Sequence, residues 1–372
     1  MNRICHLSSV HDRYDTRILH KECASLRKRN MEVNLVVADS LPDEVYNGIN
    51  IISVGASSGK LNRFINAAKR VFQKGKELDA DVYHFHDPEL IPYGLKLKAL
   101  GKKVIYDIHE DLPRAILSKD YIPFLLRKPL SSILEIYENK SAKKFDHLFT
   151  ATPHIEKRFK PINKHTMAIN NYPLLSELDT AITSWDMRED EVCYIGSITR
   201  IRGLEQVLQA IGLLKGIRFN LAGSFAPASF REDLEETDGW DYTKFFGRVD
   251  RDEVKRILKR SKVGVVTFLP YGNHTHSQPN KLFEYMAQGI PIVASNFEMW
   301  RAIIEDFQCG ICIDPSDPNA IAEAIRTILK DSDSSEKMGV NGRNAVINQF
   351  NWGTEENKLF SVYESLGVVF EN

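Results

Sequence analysis

Strand-sized apolar runs alternate with stretches whose apolar residues return every three or four positions, through almost all of the 372 residues. Few folds are open to a chain patterned this way. Parallel strands need a long crossover between them, and an amphipathic helix supplies one while covering the sheet. In the first half, strands are expected at Arg3–Leu7, Glu32–Ala38, Ile49–Val54, Asp81–Phe85, Lys103–Ile108, His147–Ala151 and Met167–Ile169. Several are apolar on both faces, as strands buried between two helical layers are. In the second half they are expected at Val192–Gly196, Arg218–Ala222, Lys244–Gly247, Val263–Phe268, Pro291–Ser295 and Ile311–Ile313. The helix after the first strand places Leu19, Cys23 and Leu26 on one face, with Asp15 or Thr16 as its cap. After Gly196 the pattern recurs with Leu204, Val207, Leu208, Ile211 and Leu214.

The pattern predicts an α/β chain of two doubly wound domains, one over residues 1–170 and one over 191–350. Between them Asn170-Asn-Tyr-Pro-Leu-Leu-Ser-Glu-Leu-Asp179 has turn residues and no period, which places a hinge at 171–190. Residues 351–372 read as a C-terminal helix crossing back to the first domain. Ligands of doubly wound sheets lie outside the carboxyl ends of the strands, so two such domains facing each other imply a cleft.

Composition closes off other classes. With 43% hydrophobic and 27% charged residues, both halves can build a core, and disorder is excluded for most of the chain. Apolar stretches such as Val263–Leu269 are strand-sized, too short to cross a bilayer as a helix. The N-terminus runs straight into Arg3–Leu7 without a signal-peptide pattern, and a soluble cytoplasmic protein is expected. Cys5, Cys23, Cys193, Cys309 and Cys312 are too scattered for a disulfide framework, and the C-x-x-C pair at 309–312 has no second pair beside it. Buried, inert thiols are expected. Residues 1–185 carry 28 Lys and Arg against 22 Asp and Glu, a net of +6, whereas the remainder nets -7. That asymmetry predicts a charged partner for the first half.

Two nucleotide motifs fail. The first strand–helix turn, Ser8-Ser-Val-His-Asp-Arg13, has no glycine for a dinucleotide fingerprint. Gly55-Ala-Ser-Ser-Gly59-Lys60-Leu61 is one residue short between its glycines for a P-loop and has Leu after the Lys. Gly196-Ser-Ile-Thr-Arg-Ile-Arg-Gly203 remains. There a glycine ends a strand, arginines follow, and a second glycine opens a helix, so close backbone approach and free N–H groups can meet an anion. The alternative is a tight turn with solvated arginines. Ser277-Gln-Pro-Asn-Lys-Leu-Phe-Glu-Tyr-Met-Ala-Gln-Gly-Ile-Pro-Ile-Val-Ala-Ser295 sets Pro279 at a helix start and Gly289 at its end, with Glu284 early in the helix. Glu284 is either a surface carboxylate favoured by the helix dipole or an acceptor for two vicinal sugar hydroxyls.

In that segment the chain resembles the ribose-binding helix of GT-B-fold, family-four retaining glycosyltransferases, the "group 1" nucleotide-sugar transferases. The resemblance covers nearly the whole chain. Gly196–Gly203 resembles the family's phosphate loop, and Phe245-Phe-Gly-Arg-Val249 its nucleobase-proximal strand end. Cys309-Gly-Ile-Cys-Ile-Asp-Pro-Ser-Asp-Pro318 and Met338–Arg343 followed by Phe350-Asn-Trp352 resemble its later signatures. Two positions depart from the family. Ser197 stands where an Arg is usual, and His276 stands where the first Glu of a Glu-x7-Glu pair would touch the donor sugar.

The resemblance implies two Rossmann-like domains, a UDP- or GDP-sugar donor, and transfer with retention onto a glycan or lipid-linked glycan. The setting it implies is surface polysaccharide synthesis (O-antigen, lipopolysaccharide, capsule or exopolysaccharide). It assigns the donor to Gly196, Ser197, Arg200, Arg202, Val249, Lys281, Leu282 and Glu284, and catalytic roles to His109, Arg202 and Lys281. Asp12 and Arg17 are expected to contact acceptor or phosphate, and Asp87 and Glu110 are either acceptor-side groups or loop caps. No metal, cofactor or nucleic acid is expected: His84, His86 and Asp87 close no set of recognised ligand spacing. The alternatives are an epimerase or hydrolase of the same fold, or a catalytically silent nucleotide-sugar-binding partner, which His276 favours. Residues 60–76 carry six basic residues and no acid, with Leu61, Phe64, Ile65, Ala68, Val71 and Phe72 at helical spacing. They are expected either to pack on the sheet or to contact anionic lipid at the inner face of the plasma membrane.

Overall fold

The computed structural model describes residues 3–57, 59, 63–117, 119, 122–178, 182–271 and 275–370. The chain divides into two compact units, one holding residues up to Asn171 together with those from Trp352 onward, the other Tyr172–Asn351. Both are Rossmann-like α/β units built on a parallel sheet.

The first unit carries β1 (Arg3–Leu7), β2 (Glu32–Val37), β3 (Glu44–Tyr46), β4 (Ile49–Ser53), β5 (Val82–Phe85), β6 (Lys103–Ile108), β7 (His147–Thr150) and β8 (Thr166–Ala168). Their order is β3-β4-β2-β1-β5-β6-β7-β8, with β3 antiparallel at one edge. From β1 the chain winds one way to β2 and later the other way from β5, so the order reverses between β1 and β5, where His6 pairs in register with His84. Asp15 Oδ1 accepts the N–H groups of Arg17 and Ile18, which starts a π-helical turn (Ile18–Cys23) continued by α1 (Ala24–Lys28).

Further helices are α2 (Ala68–Glu77), α3 (Ile91–Ala99), α4 (Leu112–Leu117), α5 (Phe124–Ala142) and α6 (Pro153–Phe159). In α2, Ala68 and Val71 are buried, and Gly75 lies so close to Leu7 that a Cβ would stand 2.7 Å from Leu7 Cδ2. Ala68, Val71 and Phe72 of the expected apolar stripe therefore pack on the sheet, with Lys69 and Lys76 in solvent, whereas Ile65 is 54% exposed and the Phe64 side chain lies outside what is described. Arg70 is tied to the carbonyls of Val54 and Gly55. Lys60 and Leu61 lie outside the described residues.

The second unit's strands are β9 (Glu189–Ile195), β10 (Arg218–Ala222), β11 (Thr243–Gly247), β12 (Ser261–Val266), β13 (Ile292–Ser295) and β14 (Gly310–Ile313), ordered β11-β10-β9-β12-β13-β14 and all parallel. Its helices are α7 (Leu204–Leu214), α8 (Phe230–Glu235), α9 (Arg251–Arg260), α10 (Asn280–Ala287), α11 (Glu298–Phe307), α12 (Pro318–Lys330) and α13 (Ser332–Asn348). Residues from Tyr172 to Arg188, read from sequence as a hinge, belong to this unit: Trp185 is buried, and Arg188 donates to the carbonyls of Leu258, Ser261 and Gln288. Asp179 lies outside the described residues. The last helix, α14 (Trp352–Ser365), packs in the first unit, with Trp352 Nε1 on Ser25 Oγ at 2.8 Å and Glu355 accepting the N–H of Asn170. Burial of a side chain such as Trp352 contributes about 1.5–3 kcal/mol.

All five cysteines are free, and burial pushes the Cys309 and Cys312 thiols up to about 12 and about 11, far from the reactive thiolate range. Among the described residues no helix is long and apolar enough to cross a membrane.

Candidate active site

In the second unit the strand order reverses between β9 and β12, and Gly196 leaves β9 at that point with φ +139°. A Cβ there would come within 3.0 Å of Lys281 Nζ. Gly203, with φ +69°, starts α7, and a Cβ there would fall 2.0 Å from the carbonyl oxygen of Thr267. Only glycine lets this loop lie against the chain leaving β12.

Lys281, on the first turn of α10, is 9% exposed and donates to Tyr194 Oη at 3.0 Å. Its ammonium lies 4.3 Å from the Tyr194 ring centroid and 5.3 Å from that of Phe268. The Arg202 guanidinium stacks on the same Phe268 ring at 3.9 Å. Burial and the charge of Arg202 bring the Lys281 pKa down to about 7, and burial lowers that of Arg202 too. Among the described residues neither cation makes an ion pair with a carboxylate. Two desolvated, mutually repelling cations at the strand ends, beside the N-terminus of α10, form a site complementary to an anion.

Glu284, one turn on, has a side chain 37% exposed and its nearest cation, Arg251, at 4.0 Å. It opens on a recess of about 230 Å³ lined also by Pro173, Leu178, Arg251, Val254 and Leu258. Leu282 beside it is fully buried, and Val249, after Gly247, packs half-buried on the same core. Ser197 is exposed, and its carbonyl accepts the Tyr194 hydroxyl at 2.7 Å. Arg200 does not join Arg202. It pairs with Glu205 and Asp233 on the surface, and Lys281 is the cation that stands beside Arg202. His276 is exposed in the loop before α10, whose Ser277 carbonyl is held by Trp300 Nε1.

At the reversal in the first unit, a buried polar cluster forms at the ends of β1, β5 and β6. Asp107 takes both arms of Arg17 at 2.8 Å, His109 Nε2 at 2.9 Å and His86 Nδ1 at 3.2 Å. Burial works against its charge, yet Arg17 and the histidines hold Asp107 well below the usual carboxylate range. Glu22, buried beside it, is pushed the other way by burial and by the Asp107 charge. The ligand atoms of His6, Glu22, His84 and His86 lie within 4.8 Å of one another, as do those of His86, Asp107 and His109. These donors suit a divalent cation in kind. However, His6 Nδ1 and His86 Nε2, 3.0 Å apart on rings 14° from parallel, engage each other as a hydrogen-bonded pair. His84 Nδ1 engages the Tyr363 hydroxyl of α14 at 3.0 Å.

His109 is 20% exposed and packs on His11, ring centroids 4.5 Å apart. Burial opposes charge on His11, but Asp15 at 3.4 Å and Asp87 at 3.5 Å outweigh it and raise its pKa.

Residues 16–166 match the family model described as Glycosyltransferase Family 4, and residues 176–345 match the one described as Glycosyl transferases group 1. The chain carries both glycosyltransferase domains. An uncharacterized glycosyltransferase of Methanocaldococcus jannaschii is 25% identical over 186 residues, 48% of this chain and 46% of that protein. The glycogen synthase of Mycobacterium tuberculosis is 25% identical over 180 residues, 46% of this chain and 42% of that protein. The chain thus spans about half the length of the curated relatives it matches. Among solved structures, sucrose-phosphate synthase from Thermosynechococcus elongatus superposes with a TM-score of 0.79 at 17% identity, over 98% of this chain and 99% of that one. Anabaena HepE in complex with UDP-glucose gives 0.74 at 13% identity, over 98% and 100%. These likenesses establish the GT-B class of fold.

In the family 4 domain, two expected acceptor residues serve the fold. Arg17 is buried between Asp107, Glu22 and the Ile169 carbonyl, and Asp87 pins the loop after β1 through Ser8 Oγ and the Ser9 N–H. Burial gives both charges partners inside the domain, so Arg17 is turned away from an acceptor and Asp87 takes its alternative part as a loop cap. Asp12 and Glu110 are exposed, and Asp12 caps the Tyr14 N–H. Sequence reasoning missed His6, Glu22, His11 and Asp107 here. The signal lay in the fold class: a doubly wound order sets the first strand beside a later one, and both carry histidines.

Proposed function

We propose that this chain transfers a sugar from a nucleoside-diphosphate donor onto a glycan or lipid-linked glycan, with retention and without a metal ion, in surface polysaccharide synthesis. The observation that carries the reading is the pair of desolvated cations, Arg202 and Lys281, which share Phe268 at the strand ends of the group 1 domain and among the described residues pair with no carboxylate. Charge building on the departing diphosphate meets fixed positive charge that needs no reorganisation, the role a divalent ion plays elsewhere. Glu284 accepts the two ribose hydroxyls, with Gly196, Ser197, Leu282 and Val249 shaping the nucleotide's surroundings. His109, oriented by Asp107, takes the sugar hydroxyls. The leaving phosphate assists deprotonation of the incoming hydroxyl on the same face. The protein works at the cytoplasmic face of the plasma membrane, where such acceptors are presented. HepE was solved with UDP-glucose, and the matched relatives include a glycogen synthase; both support a nucleotide-sugar donor.

His276 favours a second reading, donor binding without transfer, because the expected sugar-side carboxylate is missing. One experiment separates the readings: incubation with radiolabelled UDP- and GDP-sugars, with and without glycan or lipid-linked acceptors. Nucleotide release that requires acceptor supports transfer. Altered sugar supports an epimerase, acceptor-independent release a hydrolase, and saturable binding without turnover a silent partner.

A further inference from the structure

Helix α5 is amphipathic the wrong way round. Its inward positions are polar: Ser131 donates to the Pro113 carbonyl, Glu135 pairs with Arg114, and Glu138 accepts from Arg158 and the Tyr106 hydroxyl. Its outward positions are apolar. Leu126, Leu130, Ile133 and Tyr137 follow one another at helical spacing, Leu125 and Ile136 widen the stripe, and Phe124 is exposed as the first residue of the helix. Leu125 is 84% exposed, Phe124 75% and Ile133 63%. Scattered exposed apolar residues need no explanation, but six on one helix face form a patch of the kind that marks an interaction site.

Charge decides among the occupants. Both carboxylates of α5 are turned inward onto arginines, so its outward charges, Lys128 and Lys140, are cations, followed by exposed Lys143 and Lys144. Helix α3 contacts both α5 and α2, so the solvated Lys69 and Lys76 of α2 belong to the same helical layer of this domain. Exposed leucines and aromatics ringed by lysines match the boundary between anionic headgroups and acyl chains. We infer that α5 docks the family 4 domain on an anionic lipid surface, its apolar face inserted and its lysines on the headgroups. The binding expected at residues 60–76 is thereby moved: α2 supplies cations, and α5 supplies the inserted face. The inference extends the proposed lipid-linked acceptor, but its test needs no nucleotide sugar, so either can fail alone.

The test is co-sedimentation of the full chain with vesicles of equal parts phosphatidylglycerol and phosphatidylcholine, and with phosphatidylcholine alone. Wild type is expected to pellet with the anionic vesicles at low salt and less at high salt. Leu125→Ser/Ile133→Ser/Ile136→Ser should lower the partition on the order of a hundredfold. Its circular dichroism and melting temperature should match wild type, since all three side chains lie in solvent. Lys128→Gln/Lys140→Gln should lose mainly the salt-sensitive part. Wild type remaining in the low-salt supernatant, or the triple serine variant pelleting equally well, overturns the inference. So does a wild-type dimer in lipid-free sedimentation that becomes a monomer in the serine variant with no vesicle binding by either, since the face then belongs to a second copy.

Discussion

Lys281→Met keeps the length of a side chain and removes its charge. The ammonium it replaces is 9% exposed, bonded to the Tyr194 hydroxyl at 3.0 Å and repelled by Arg202. Burial, then Arg202, take its pKa from 10.5 to about 7. Because the folded value lies below the unfolded one, the unfolded chain holds more protons between them, and stability rises with pH across that window. Below it the buried charge costs a ceiling of roughly 4–5 kcal/mol, the worth of that shift. The variant should therefore be more stable than wild type by about 1–3 kcal/mol near pH 6, once the lost Tyr194 bond is subtracted, and the two should converge near pH 10.

Nucleotide binding should respond in the opposite sense. A diphosphate beside the ammonium restores its proton, so wild type should take up about half a proton per UDP or GDP bound near pH 7 and bind about tenfold more weakly per pH unit above 8. Removing the charge-assisted hydrogen bond costs about 1.5–3 kcal/mol, a ten- to hundredfold loss of affinity. Calorimetry in buffers of different ionisation enthalpy measures the proton uptake, and denaturant melts at several pH values measure the stability. An Lys281→Met protein that is weaker than wild type at every pH yet binds nucleotide equally well would make Lys281 a structural residue and refute the anion site.

Glu284→Gln should weaken UDP or GDP binding by about 1–3 kcal/mol, because the charge is lost and an NH2 donor replaces one of the two acceptor oxygens facing the hydroxyls; an unchanged Kd by calorimetry counts against the ribose role. Arg202→Ala should lower turnover on the order of a hundred- to a thousandfold with little loss of melting temperature, since among the described residues the arginine has no carboxylate partner to orphan. Activity retained in EDTA is expected, and complete loss rescued by magnesium or manganese would exclude the metal-free mechanism. Arg17→Met should cost about 3–5 kcal/mol in a denaturant melt by leaving Asp107 buried without its cation; a shift under 1 kcal/mol would mean the pair is not needed for folding.

The strands were legible because a parallel sheet writes burial into consecutive residues: Arg3–Leu7, Lys103–Ile108 and Arg218–Ala222 have the bounds expected of them. Edge strand β3 was not, for the opposite reason. It has three residues, its Val45 is 71% exposed, and only antiparallel pairing with β4 makes it a strand. In the site, Glu284 and the arginines of the Gly196–Gly203 loop stood out by their placement and Lys281 through the family resemblance, whereas the aromatic platform joining the cations did not. Tyr194 comes from β9 and Phe268 from the end of β12, and their meeting is a consequence of strand order. The histidine cluster has the same cause, with His6 and His84 brought level by register and Glu22 added by a helix packed on them.

Helices α2 and α5 show where periodicity stops being informative. Both have an apolar stripe at helical spacing, and the usual inference turns that stripe toward the sheet. For α2 the inference holds, because the surface beneath it is Leu7 and its apolar neighbours. Beneath α5 lie the Arg158 guanidinium, the Tyr106 hydroxyl and the Pro113 carbonyl, which only polar side chains can satisfy. Turning the apolar stripe inward there would strand those groups, so Glu138 and Ser131 take the inner face and the leucines are forced out. A period locates the two faces of a helix; the chemistry underneath decides which is buried. On α5 that chemistry leaves an apolar face exposed to water, and the docking on anionic lipid inferred above would remove that exposure.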